Sequence, residues 1–136
     1  MKKIRTLMVD DSPEFLQAAS RFLCIDPAIE VIAQIRRGRE VLAAIREHQP
    51  DVVLLDLAMP DLHGLEVMRQ VREEIDEPPR IVILTLYDNP EYREQSTALG
   101  ADGFIYKSDF GVELLPTIHQ LIPNRSGRDP EPEKDQ

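Results

Sequence analysis

Apolar residues gather in five short runs, at 4–9, 30–35, 52–55, 81–84 and 103–105. Between them the apolar positions take helical spacing. Phe15, Leu16, Ala19, Phe22 and Leu23 form the first such stripe. Val41, Leu42 and Ile45 form the second, and Leu65, Met68 and Val71 the third. A weaker pattern covers 91–99, and a last one covers 114–122. Strand and helix patterns alternating in this way predict a parallel sheet with helices on both faces. The runs at 52–55 and 81–84 show no polar alternation, as expected of strands covered on both sides.

Punctuation supports these elements. Ser12-Pro13 and Asn89-Pro90 each place a capping side chain before a proline suited to a first helical turn. Gly100 follows the fourth helical pattern where a helix-ending glycine belongs. Pro116 predicts a turn over 110–113 and a last helix beginning near Leu115. After Ile122 the pattern stops, and residues 123–136 contain three prolines and no large apolar residue. One domain over 1–122 is expected, followed by a disordered tail or the start of a linker at 123–136.

The chain has 136 residues and a net charge of −9, a balance that disfavours direct nucleic-acid binding by this domain. No apolar stretch is long enough to span a bilayer, and the basic start meets Asp10 and Asp11 at once. A cytoplasmic location without membrane contact is expected. Cys24 is the single cysteine, so no internal disulfide can form; its apolar surroundings predict a buried, inert thiol.

In an open parallel sheet, ligands bind beyond the carboxyl ends of the strands. Here those ends carry Asp10-Asp11, Asp56, Thr85 and Tyr106-Lys107. If the first and third strands are neighbours, three carboxylates converge, and such a cluster requires counter-charge. Lys107 could supply it, as could a divalent cation; Mg²⁺ suits few carboxylates and an added phosphoryl group. A carboxylate in this setting can form an acyl phosphate.

"VDDS" (9–12), "DLAMPDLHG" (56–64), "LT" (84–85) and "FIYK" (104–107) together resemble the motifs of response-regulator receiver domains. "LTLYDNPEY" and "ALGADGFIYKSD" are most similar to receivers of regulators carrying a LuxR-type helix-turn-helix. The resemblance covers about residues 4–122. It implies a flavodoxin-like (βα)5 fold, doubly wound around a five-stranded parallel sheet in the order 2-1-3-4-5. It implies a phosphorylation-dependent switch in two-component signalling that catalyses only its own phosphorylation and dephosphorylation. The donor would be the phosphohistidine of a sensor histidine kinase or phosphotransfer protein. The output would pass to an effector domain or a homodimer.

The resemblance also implies residue roles. Asp56 would be the phosphoacceptor. Asp11, Asp56 and the backbone carbonyl of Ala58 would bind Mg²⁺ directly, and Asp10 would act mainly through water. Thr85 and Lys107 would contact the phosphoryl group. Phe104 would be the aromatic switch that turns inward with Thr85. Pro60 and Gly64 match the loop after the acceptor. Ser108 stands where the family often has proline, and Leu86 replaces the usual small residue after the threonine. Leu86 is expected to narrow access to the site.

Two other readings compete. An aspartyl-phosphate phosphohydrolase usually needs an acid two residues after its nucleophile, a position held here by Ala58. A pseudo-receiver acting only in protein binding is weakened by the presence of all five site residues. Elsewhere, Tyr106 is expected to pack against a flanking helix. His48, His63 and His119 are not spaced as metal ligands and read as solvated or packing groups. Arg36, Arg37 and Arg39 around Gly38 read as an exposed turn.

Overall fold

The structure is a computed structural model that describes residues 2–123. The expectation for the tail lies, from residue 124 on, outside the described residues. Five strands alternate with five helices: β1 (Ile4–Val9), α1 (Pro13–Cys24), β2 (Ile29–Ile35), α2 (Val41–His48), β3 (Val52–Leu55), α3 (Gly64–Glu74), β4 (Arg80–Thr85), α4 (Pro90–Ala98), β5 (Gly103–Tyr106) and α5 (Phe110–Leu121). All strand pairs are parallel, in the order β2-β1-β3-β4-β5. This is the doubly wound, flavodoxin-like arrangement that the resemblance implies.

Successive strand residues point to opposite faces, so each strand feeds two cores. Val53, Leu55, Ile81 and Ile83 pack against Val41 and Ile45 of α2 and Met68 of α3. Val52, Leu54, Val82 and Leu84 pack against Leu16 and Leu23 of α1 and Leu114 and Ile118 of α5. The unalternating run in β3 is thereby explained: all four of its residues are buried. Helix α4 buries only Ser96, consistent with its weak sequence pattern.

The predicted caps are present. Ser12 Oγ accepts from Phe15 N, and Asn89 Oδ1 accepts from Glu91 N. Gly100 ends α4 with φ +94°, a conformation that side chains with a Cβ rarely adopt. Among the described residues no peptide bond is cis, so the Lys107–Ser108 bond is trans.

Two expectations are corrected. Helix α5 begins at Phe110, directly after a short 3-10 turn over Lys107–Asp109, and runs through Pro116, so the expected turn over 110–113 is helical. Pro116 lies on the solvent face, as does Val112, whose carbonyl loses its helical donor; Val112 is 79% exposed. Water can satisfy that carbonyl, while buried Leu114 and Ile118 hold the helix to the sheet. Cys24 is exposed, not buried, because it falls at the end of α1 on the side away from Leu23.

Candidate functional site

The pairing of β1 with β3 brings the ends of the two strands together. Asp56 N donates to Val9 O at 3.0 Å, and Asp10 N donates to Ile35 O at 3.0 Å. The backbone ladder therefore fixes Asp10 and Asp56 one step beyond their strands. Asp11 follows at the entrance to α1. Asp10 and Asp56 are buried, with Asp11 more open to water. Ligand oxygens of the three carboxylates lie within 4.8 Å of one another.

The loop after Asp56 is drawn in by Gly64, whose N–H donates to Leu57 O at 2.8 Å. A Cβ on Gly64 would stand 2.7 Å from both Asp56 O and Leu57 Cα. Only glycine lets α3 start this close beneath the acidic residue.

Lys107, in the short turn after β5, reaches into the cluster. Its Nζ lies 2.6 Å from Asp10 Oδ2 and 3.8 Å from Asp56 Oδ2, with only 9% of its side chain exposed. The Asp10 contact is an ion pair and not an aligned hydrogen bond; Asp10 Oδ2 has no aligned donor. Asp10 Oδ1 accepts from Ser12 N at 2.9 Å. Burial pushes the Asp56 carboxyl up to about 6. Lys107 and a backbone hydrogen bond from Ala58 pull it down, while Asp10 and Asp11 push it up. One lysine thus compensates the cluster only in part, and an open, oxygen-lined position for a cation fits the charge that remains.

The cleft over these groups has a volume of about 200 Å³ and is lined by Asp10, Asp11, Ser12, Asp56, Ala58, Leu86, Tyr87 and Lys107. Leu86 and Tyr87 form its outer lip, 73% and 52% exposed. Thr85 ends β4 fully buried, and its Oγ1 accepts from Tyr87 N at 3.1 Å. It is not among the residues lining the cleft. Phe104 is farther away on β5, its ring edge-to-face with Tyr106 and beneath the Arg93 guanidinium. Tyr106 lies against Arg93 of the flanking helix α4, as expected, and its hydroxyl also donates to Asp88 at 2.8 Å.

Several contacts lie outside what the sequence pattern indicated. The Phe15 ring faces Lys107 Nζ at 4.3 Å, although helical spacing marks Phe15 only as core. His63 Nδ1 accepts from Leu65 N at the start of α3, and His119 Nε2 lies 2.8 Å from Asp26 Oδ2. Arg36 and Arg37 are exposed, as expected, beside Asp11 in an adjoining cleft. The turn that follows them is tied down by Asp61, which accepts from Gly38 N and Arg39 N.

No helix among the described residues is long and apolar enough to cross a membrane. The chain is 31% identical over 124 residues to the probable transcriptional regulatory protein NarL of Mycobacterium tuberculosis. That match takes in 91% of this chain and 57% of NarL, so the chain spans little more than half of that relative. It is 39% identical over 111 residues to a protein-glutamate methylesterase/protein-glutamine glutaminase of Oleidesulfovibrio alaskensis, covering 82% of this chain and 30% of the relative. A solved two-component response regulator of the LuxR family from an Aurantimonas species superposes with a TM-score of 0.84 at 29% identity, covering 92% of this chain and 89% of that one. The profile of the response regulator receiver domain matches residues 6–119, and the chain belongs to that family of two-component signalling modules.

Proposed function

We propose that Asp56 is the phosphoacceptor of this receiver, taking a phosphoryl group from the phosphohistidine of a sensor histidine kinase or phosphotransfer protein. An Asp56 oxygen bonds to phosphorus as the phosphorus–nitrogen bond breaks and its electron pair returns to the imidazole. The observation that carries this reading is the placement of Asp56. It is buried at the end of β3, 3.8 Å from Lys107 Nζ, with Asp10 and Asp11 beside it.

Asp11, Asp56 and the Ala58 carbonyl would hold Mg²⁺ directly, with Asp10 acting mainly through water. Mg²⁺, when bound, supplies positive charge to the oxygens of the transferring group. Lys107 neutralises charge on the same oxygens, at a cost lowered by its burial beside Asp10. The Thr85 hydroxyl accepts from Tyr87 N, which leaves its own proton available for a phosphoryl oxygen. Thr85 and Phe104 would relay the change to the α4–β5–α5 face, as a shift between two populated states. The domain thereby catalyses only its own phosphorylation and dephosphorylation. Its output passes to an effector domain or a second copy, in the cytoplasm.

Incubation with acetyl phosphate and Mg²⁺, followed by intact mass measurement, tests the assignment. A one-phosphate increase that is absent from Asp56→Asn is expected. Equal uptake by the variant would place the phosphate elsewhere. Continuous release of phosphate from a general phosphoester would indicate a phosphohydrolase.

A further inference from the structure

Lys107 has a third neighbour besides its two carboxylates. The face of the Phe15 ring lies 4.3 Å from Nζ. With 9% of the lysine side chain exposed, the ring closes a side of the ammonium that water would otherwise reach. The negative face of an aromatic ring attracts a cation, most strongly where water is excluded.

Phe15 is itself held from two directions. Its backbone N–H donates to Ser12 Oγ at 3.2 Å, the capping bond of α1. Its ring meets Phe110 of α5 edge-on, with centroids 5.6 Å apart, and Phe110 meets Phe22 at 5.2 Å. The contacts close a circuit. Asp10 accepts from Ser12, Ser12 caps Phe15, Phe15 faces Lys107, and Lys107 returns to Asp10. The first turn of α1 is thus built around the lysine.

We propose that Phe15 is a positioning residue for Lys107, its ring forming the wall that keeps the ammonium desolvated and within reach of Asp56. Lys107 is a long, flexible side chain, and a rigid apolar wall removes alternative rotamers that point to solvent. This role presupposes that Lys107 serves the phosphoryl group on Asp56.

The test uses the full chain with acetyl phosphate at saturating Mg²⁺. Phe15→Leu keeps apolar volume and removes the ring face. It is expected to slow phosphorylation about 5-fold, the equivalent of one cation–π contact of ~1 kcal/mol. Phe15→Tyr keeps the ring and recovers most of the rate. In a Lys107→Met background, Phe15→Leu has no further effect, the mark of two residues acting through one contact. A readout independent of any variant's folding is the proton NMR shift of the Lys107 ε-methylene. It is displaced upfield by the ring in the native chain. An undisplaced resonance, a native rate in Phe15→Leu, or an equal loss in the Lys107→Met background would overturn the role of Phe15. A native rate in Lys107→Met itself would overturn the role of the lysine, and Phe15's with it.

Discussion

The Arg93 guanidinium lies over the Phe104 ring, 4.8 Å from its centroid, and reaches the Tyr106 ring at 5.7 Å. Helix α4 thereby covers the residue that would have to turn inward on activation. The Tyr106–Asp88 hydrogen bond ties the same strand to the β4–α4 loop. Phe104 is half-buried against the core that faces α2 and α3, and the ring contacts over it are individually weak.

Arg93→Ala should weaken these contacts. Loss of about 0.5–1 kcal/mol of cation–π attraction would raise the population with Phe104 turned inward roughly 2- to 5-fold. Phosphorylation by acetyl phosphate should quicken by a similar factor. Amide exchange over residues 90–121, with and without a phosphate mimic, checks the direction: in the variant, the unliganded pattern should move toward the liganded one. An unchanged pattern would separate Arg93 from the switch.

Asp56 makes stability depend on pH. Burial pushes its carboxyl up to about 6 in the folded protein, from an ordinary value of 3.8. The folded state therefore favours the protonated form. The stability this confers is fully present below pH 3.8 and is lost as pH rises through about 6. Asp56→Asn removes the penalty, so without Mg²⁺ it should exceed the native chain in stability at pH 7–8 by about 1–3 kcal/mol. The gap should close toward pH 4 and shrink when Mg²⁺ is added to the native chain. Denaturant midpoints across that range measure it.

Gly64→Ala should damage both fold and site. The new methyl would meet backbone atoms of Asp56 and Leu57 at 2.7 Å, and backbone cannot yield as a side-chain tip can. A loss of about 1–3 kcal/mol is expected, seen as a lower urea midpoint at unchanged slope. Phosphorylation should slow as well, because the displaced segment carries Asp56. Native stability in this variant would contradict the close approach.

Ala58→Asn should shorten the life of the phosphorylated form. Ala58 lines the cleft and offers no polar side chain to orient a hydrolytic water; Leu86 and Tyr87 form the lip instead. One added oriented contact of about 0.7–2 kcal/mol would speed hydrolysis roughly 3- to 30-fold. A decay time course of purified phosphoprotein with excess Mg²⁺ and no kinase makes the comparison. An equal or longer lifetime would count against a limit set by water placement.

The Asp26–His119 pair joins the turn after α1 to α5. Burial raises the Asp26 carboxyl, but hydrogen bonds from His119 and Ala28 N outweigh it and leave the group lowered. A lowered carboxyl stabilises the fold above its ordinary value of 3.8 and loses that effect as pH falls below it. His119→Ala should cost about 0.5–1 kcal/mol near neutral pH, with the difference fading in acid. Thermal unfolding at pH 6 and pH 3 tests the sign.

The sequence by itself determined the layers and the place of the chemistry. Apolar period separates strands from helices, and the unalternating β3 can be stable only when covered on both faces. Caps at Ser12 and Asn89 are local, so residues within one turn specify them. The carboxylates were visible because strand ends converge in a parallel sheet whatever the helices do. Tertiary structure decided what local pattern leaves open. Pro116 stays inside α5 because burial of Leu114 and Ile118 outweighs one lost hydrogen bond on a wet face. Cys24 is exposed because it lies at the end of α1, on the side away from buried Leu23. Phe15 against Lys107, Arg93 over Phe104, and Asp26 with His119 across 93 residues are pairs between separate elements. Periodicity fixes which face a side chain occupies; only the docking of one element on another fixes which neighbour it meets there.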